Sequence, residues 1–147
     1  MKNVSFATIS LTLFLTLGCR GQIPEQPTLA ESHIAGNVPS GQDFDAYMKR
    51  DLASFLCEGA PDCHVEYSLL REGPTQTGIA YPKFYVWIIC FKGNKVAKQG
   101  AARVAAIDKQ QFHVTNFLSR EQILESPQQV ESIFPAPLVS KIVQRAH

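Results

Sequence analysis

Charge of one sign is the first thing this sequence lacks. Its 147 residues carry 14 Lys and Arg against 13 Asp and Glu, a net charge of +1. No run of basic side chains interrupts that balance, so the electrostatic footprint of a nucleic-acid binder is missing. No apolar stretch reaches the about 20 residues that a bilayer-spanning helix needs. A glycine-rich phosphate loop is also absent, since Phe91-Lys92-Gly93-Asn94-Lys95 has one glycine and forms a hairpin turn signal. No serine stands in a Gly-x-Ser-x-Gly elbow. The carboxylates do not pair for acid–base work. Asp43, Asp45 and Asp51 fall at the start or on the polar face of one helix, where charge serves solvation and the helix dipole, and Glu66 stands alone on a strand. There is no internal repeat. From these absences we assign no catalytic residue, no metal, no cofactor and no enzymatic activity.

What is present begins at the N-terminus. Met1-Lys2-Asn3 is short and basic, Val4 to Leu17 is mostly apolar, and Gly18-Cys19 ends the run. A basic start, a short apolar core and a small residue before the cut form the layout of an export signal. The run Leu15-Thr16-Leu17-Gly18-Cys19 resembles the lipobox of bacterial lipoproteins, with Gly18 matching and Thr16-Leu17 departing from the usual order. The resemblance implies that residues 1–18 are removed and that Cys19 is acylated. It also implies a cell-envelope protein held in the membrane by its N-terminal lipid. Arg20 follows the cysteine where aspartate would signal retention, which in that family implies the periplasmic face of the outer membrane.

Without the signal, about 129 residues remain, enough for one domain with a hydrophobic core. Loss of Lys2 leaves equal numbers of acidic and basic residues. Residues 19–42 are rich in Pro, Gly, Gln and Ser and form a flexible tether containing His33. About 20 such residues span roughly 25 Å root-mean-square. The globular part then runs from 43 to 147.

Three cysteines remain beside Cys19. An exported chain permits disulfides, but three is odd, so one thiol is left over. Cys57 and Cys63 bracket Glu58-Gly59-Ala60-Pro61-Asp62, a turn that makes their bridge easy. So short a loop gives about 2 kcal/mol in the chain-entropy account. Cys90 ends a very apolar run and reads as a buried thiol; a Cys63–Cys90 bridge is the alternative pairing. Cys57, Cys63 and His64 do not make a zinc set, because no second ligand pair lies nearby. Cys90 with His64 or His113 would need an activated thiolate, and buried thiols are inert.

Along the domain, Asp43 to Leu56 shows helical spacing of Phe44, Tyr47, Met48, Leu52, Phe55 and Leu56. Ser40 or Asp43 caps it, and Gly59-Ala60-Pro61 stops it. His64 to Arg71 alternates as a half-buried strand. Lys83 to Phe91 is a strand apolar on both faces. Gly100 to Asp108 and Gln111 to Leu118 form a hairpin. Ser119 and Ser126 each open a short helix with capping-box spacing, the second with Pro127 at its first position. Pro137 starts a last helix whose apolar side is Leu138, Val139, Ile142 and Val143.

The predicted fold class is therefore α+β: an N-terminal helix on a four-stranded antiparallel sheet, followed by short C-terminal helices. The element order resembles cystatin-like and NTF2-like domains in topology only. The Gln-x-Val-x-Gly loop of cystatins is absent, because Lys95-Val96-Ala97-Lys98-Gln99-Gly100 has those residue types in another order.

One face of the strand Tyr85 to Ile89 must meet the first helix, and the other also needs cover. C-terminal helices supply that cover in the plain reading. In the sharper one, Tyr85 and Trp87, with Phe117 or Tyr81, form an exposed aromatic patch for an envelope protein partner or a second copy. The alternative function is small-ligand binding, or an enzyme, in an NTF2-like cone lined by Phe44, Tyr47, Phe84 and Trp87.

Overall fold

The computed structural model describes residues 36–147. The segment read as an export signal, Cys19, His33 and most of the segment read as a tether lie outside the described residues. Helix α1 runs Gly41–Cys57, followed by strands β1 Cys63–Leu69, β2 Lys83–Lys92, β3 Lys95–Asp108 and β4 Gln111–Ser119. Three short helices close the chain: α2 Arg120–Glu125, α3 Pro127–Ile133 and α4 Ala136–Ala146. The strands form one open antiparallel sheet in the order β1-β2-β3-β4. This is the α+β layout that the sequence predicts.

Pleating sorts the residues of β2 between two cores. Phe84, Val86, Ile88 and Cys90 face α1, where Met48, Leu52 and Leu56 are buried against them with Ala102, Val104 and Phe112. Tyr85 and Trp87 face the other way, into a second core with Ala101, Leu118, Ile123, Val130, Phe134, Leu138 and Ile142. The molecule thus has three layers, helix over sheet over helices. Val38 also packs on the α1 side and Pro39 is buried, so the packed structure reaches back into the segment read as tether.

Local chemistry sets the ends of the elements. Ser40 is the N-cap of α1, but its hydroxyl donates to the Asp43 carboxylate at 2.6 Å. Its carbonyl accepts from the Asp43 and Phe44 amides. Glu58 and Gly59 turn the chain out of α1 with φ of 49° and 82°. Ser119 makes the full capping box, accepting from the Gln122 amide while its own amide donates to Gln122 Oε1. Ser126 does not repeat it: its side chain makes no cap bond, and its carbonyl accepts from the Gln129 amide instead. Phe55, placed on the apolar stripe of α1, turns aside and is 46% exposed.

Strand β3 is longer than its pattern indicates, starting at Lys95 in place of Gly100. A bulge skips Thr115, where Val104 pairs with Val114 and Arg103 with Asn116. That extra residue brings both Val114 and Phe117 onto the α1 side. Gly100 of β3 pairs with Ser119, where β4 hands the chain to α2. A Cβ there would overlap the Leu118 carbonyl and lie 2.9 Å from Ser119 Cα. Backbone that close admits only glycine. We therefore expect Gly100→Ala to destabilise the domain by about 2 kcal/mol through overpacking, read as a lowered denaturation midpoint. An unchanged midpoint would mean that the approach is looser than described.

Candidate functional site

Tyr85 and Trp87 do not form an exposed surface with Phe117 or Tyr81. Trp87 is 2% exposed and Tyr85 5%, both beneath α2–α4. The Tyr85 hydroxyl hydrogen-bonds Thr75 Oγ1 at 2.8 Å, and its ring lies 6.1 Å from that of Phe134. The Arg145 guanidinium caps the Trp87 ring at 5.4 Å. Phe117 is on the opposite sheet face, edge-on to Phe55 at 6.1 Å. Tyr81 sits half exposed in the β1–β2 connection. The expected exposed patch of Tyr85 and Trp87 is therefore buried core. Leu138, Ile142 and Ala146 recur at helical spacing on α4 and supply the cover that the second face of β2 needs.

The proposed cone fares no better as a cavity. Phe44, Phe84 and Phe112 pack edge to face, with centroids 5.0, 5.1 and 5.9 Å apart, and fill the space beneath α1. Tyr47 lies under the Arg50 guanidinium at 4.7 Å, and Trp87 is across the sheet. Beside the rim of Trp87 there is a notch of about 140 Å³ between Glu66, Ser68, Ile89 and Arg145. Ligand sites usually start near 300 Å³.

A larger concavity lies on the outer side of the helical layer. A groove of about 510 Å³ is lined by Glu131, Ala136, Val139, Ser140 and Val143. Val139 and Val143 are one turn apart on α4, half-buried, with Ala136 and Ser140 exposed beside them. The floor is apolar, and Glu131 and Ser140 bring polar groups to it. The sequence assigned both valines to the core side; the structure leaves their outer edges uncovered. Elsewhere on the surface, Ile79 stands 96% exposed on the β1–β2 connection.

The cysteines gather at the junction of α1, β1 and β2. Cys57, the last residue of α1, and Cys63, the first of β1, are joined by a disulfide with Cα atoms 5.7 Å apart. Cys90 keeps its thiol, buried, with Sγ 3.3 Å from Cys63 Sγ and 4.0 Å from Cys57 Sγ. Sheet register decides the pairing. Cys90 faces Val65 and Cys63 faces Lys92, which makes Cys63 and Cys90 diagonal neighbours. Diagonal Cα atoms lie about 7–8 Å apart, beyond the usual disulfide reach. Burial pushes the Cys90 thiol up and Lys98 partly opposes it. Neither histidine meets it: His64 stacks on Phe91 at 5.0 Å, and His113 lies on β4, which is not a neighbour of β2.

Tyr67 of β1 lies half-buried beside Asp45, which pairs with Lys49 at 2.8 Å. Burial first, and then the Asp45 carboxylate, push its hydroxyl from 10.0 to about 12.

Compared with protein-family models, curated proteins and solved structures, the chain matches none.

Two outcomes follow from this geometry. Peptide mapping without reduction is expected to link Cys57 to Cys63, with Cys90 alkylated only after denaturation; a labelled Cys90 in the folded chain would contradict its burial. The raised Tyr67 group keeps its proton in the folded state where the unfolded chain has lost it. Its contribution is whole below pH 10 and disappears as pH rises to about 12. Thermal melting is expected to fall across that window more steeply in wild type than in Tyr67→Phe. Parallel curves would show that the phenol is not perturbed.

Proposed function

We propose that this chain is a lipid-anchored protein of a bacterial cell envelope whose domain binds another envelope protein and catalyses no reaction. Acylated Cys19 holds it at the membrane, on the periplasmic face of the outer membrane, and the following tether sets the domain's reach. The disulfide between Cys57 and Cys63 accords with an oxidising compartment.

The observation that carries the binding role is the groove on α3 and α4. Its floor of Val139, Val143 and Ala136 is apolar and concave. An apolar side chain of a partner seated there would remove water from both surfaces, at about 25 cal/mol for each Å² buried. Tight contact in such a pocket is where interfaces concentrate their energy. The groove also sits on a helix whose inner face is fixed by Leu138, Ile142 and Ala146. A rigid receiving surface costs little to order on binding.

Ala136 and Ser140 are exposed, so side chains placed there block the groove without disturbing the core. Crosslinking in native envelopes is expected to capture a discrete partner with wild type and to lose it with Ala136→Glu/Ser140→Arg. Ile79→Asp, on the β1–β2 connection and not part of the groove lining, is expected to retain it. Loss in Ile79→Asp but not in the groove variant would move the partner to the β1–β2 connection. A crosslinked mass of twice the chain would identify a second copy as the occupant. In parallel, Cys19→Ser is expected to release the protein from the membrane fraction. Retention there would remove the lipid anchor from the account.

A further inference from the structure

A disulfide satisfies two cysteines, and a third sulfur beside it serves no purpose in that bridge. Cys57, Cys63 and Cys90 nevertheless bring their Sγ atoms within 4.8 Å of one another. They come from three elements: the end of α1, the start of β1 and the end of β2. Cys57 is held by the helix, and Cys63 and Cys90 by the ladder between β1 and β2. A thiolate set around one zinc ion has metal–sulfur bonds of about 2.3 Å, which puts tetrahedrally arranged sulfurs about 3.8 Å apart. The separations from Cys90 to its two neighbours, 3.3 and 4.0 Å, bracket that spacing.

The surroundings agree with an ion site. A pocket of about 180 Å³ opens on the three sulfurs, lined also by Glu58, Ala60, Lys92, Ala97 and Lys98. Alanines at its mouth leave room for a fourth ligand. Lys92 and Lys98 offset the excess negative charge that three thiolates leave around a divalent cation. All-sulfur donor sets select soft, d10 cations over magnesium or calcium.

We propose that Cys57, Cys63 and Cys90 form a three-thiolate site for one zinc-like cation, exposed when the bridge is reduced. This goes beyond the binding role above and does not depend on it. The chemistry balances as two steps. A dithiol reductant supplies two electrons and two protons, which break the Cys57–Cys63 bond to give two thiols, and the reductant leaves as its own disulfide. The cation then binds three sulfurs, and three protons are released to solvent. A disulfide oxidant reverses the sequence: it takes two electrons from the Cys57 and Cys63 thiolates and, with two protons from solvent, leaves as its own dithiol. The bridge re-forms, the ion departs and Cys90 regains a proton, so the same sulfurs alternate between a bridge and a metal site.

The test uses the full chain with Cys19→Ser in every arm, so that no fourth thiol takes part. The chain is reduced with a phosphine and titrated with Cd²⁺, whose thiolate charge-transfer absorption counts bound sulfurs, and then with Zn²⁺ in competition. One ion per chain and an absorption corresponding to three thiolates are expected. Cys90→Ser and Cys90→Ala are expected to bind at least about tenfold more weakly, and the oxidised chain not at all. Circular dichroism accompanies each titration. If the reduced chain unfolds, one equivalent of Zn²⁺ is expected to refold it, and in neither Cys90 variant. Equal affinity with and without Cys90 would reduce the site to an ordinary dithiol and overturn the proposal. So would a reduced chain that binds no ion, or that stays unfolded in its presence.

Discussion

Val86, Trp87 and Ile88 are three successive residues of one strand, and all three are buried. Side chains alternate across a sheet, so no single covering layer can bury all three. This constraint organises the molecule. One layer must lie on the side of Val86 and Ile88, and α1 provides it with Met48, Leu52 and Leu56. Another must lie on the side of Trp87, and α2, α3 and α4 provide it with Ile123, Val130, Leu138 and Ile142. Burying the indole alone removes roughly 200 Å² from water, about 5 kcal/mol as an upper figure. That is comparable to the whole net stability of a small domain. An exposed Trp87 would forgo this, so cover on the second face follows from energy as well as geometry.

The same constraint explains where the free surface lies. With both faces of β2 occupied, the apolar groove lies on the covering helical layer and not on the sheet. Val139 and Val143 lie at the edge of the α4 stripe, close enough to the core to be fixed and far enough round the helix to be reached. The edge of the stripe thus offers what the interior of the sheet cannot. At the opposite side of the sheet, the β1–β2 ladder that builds the core also carries Cys63 and Cys90 to the end of α1. Packing and sulfur chemistry are two consequences of one register.

Much of the architecture was legible in the residues. Helical spacing marked α1, alternation marked β1, the all-apolar run marked β2, and Ser119 with Gln122 announced the start of α2. The failures have specific causes. Lys95 to Gln99 shows no apolar alternation because Val96 and its neighbours are solvent-facing, and these residues are strand only because β2 pairs with them. The bulge at Thr115 breaks the period-two pattern that would have placed Phe117. Pattern alone gives the apolar side of α4 but not the direction in which it packs, so it allows both cover of Tyr85 and Trp87 by the C-terminal helices, which the structure has, and their exposure to a partner. The nearness of Cys90 to Cys57 and Cys63 depends on the register across the long β1–β2 connection, which spacing does not specify.

The three-layer account rests on the cover over Trp87, and this is the single tryptophan of the chain. Its fluorescence is therefore a direct measurement. The account predicts a blue-shifted emission that acrylamide and iodide quench poorly in the folded, monomeric protein at low concentration, turning red and quenchable on denaturation. A red, readily quenched emission from the folded monomer would contradict it. It would mean that α2–α4 do not close over β2, and it would return Tyr85 and Trp87 to the surface as a binding patch.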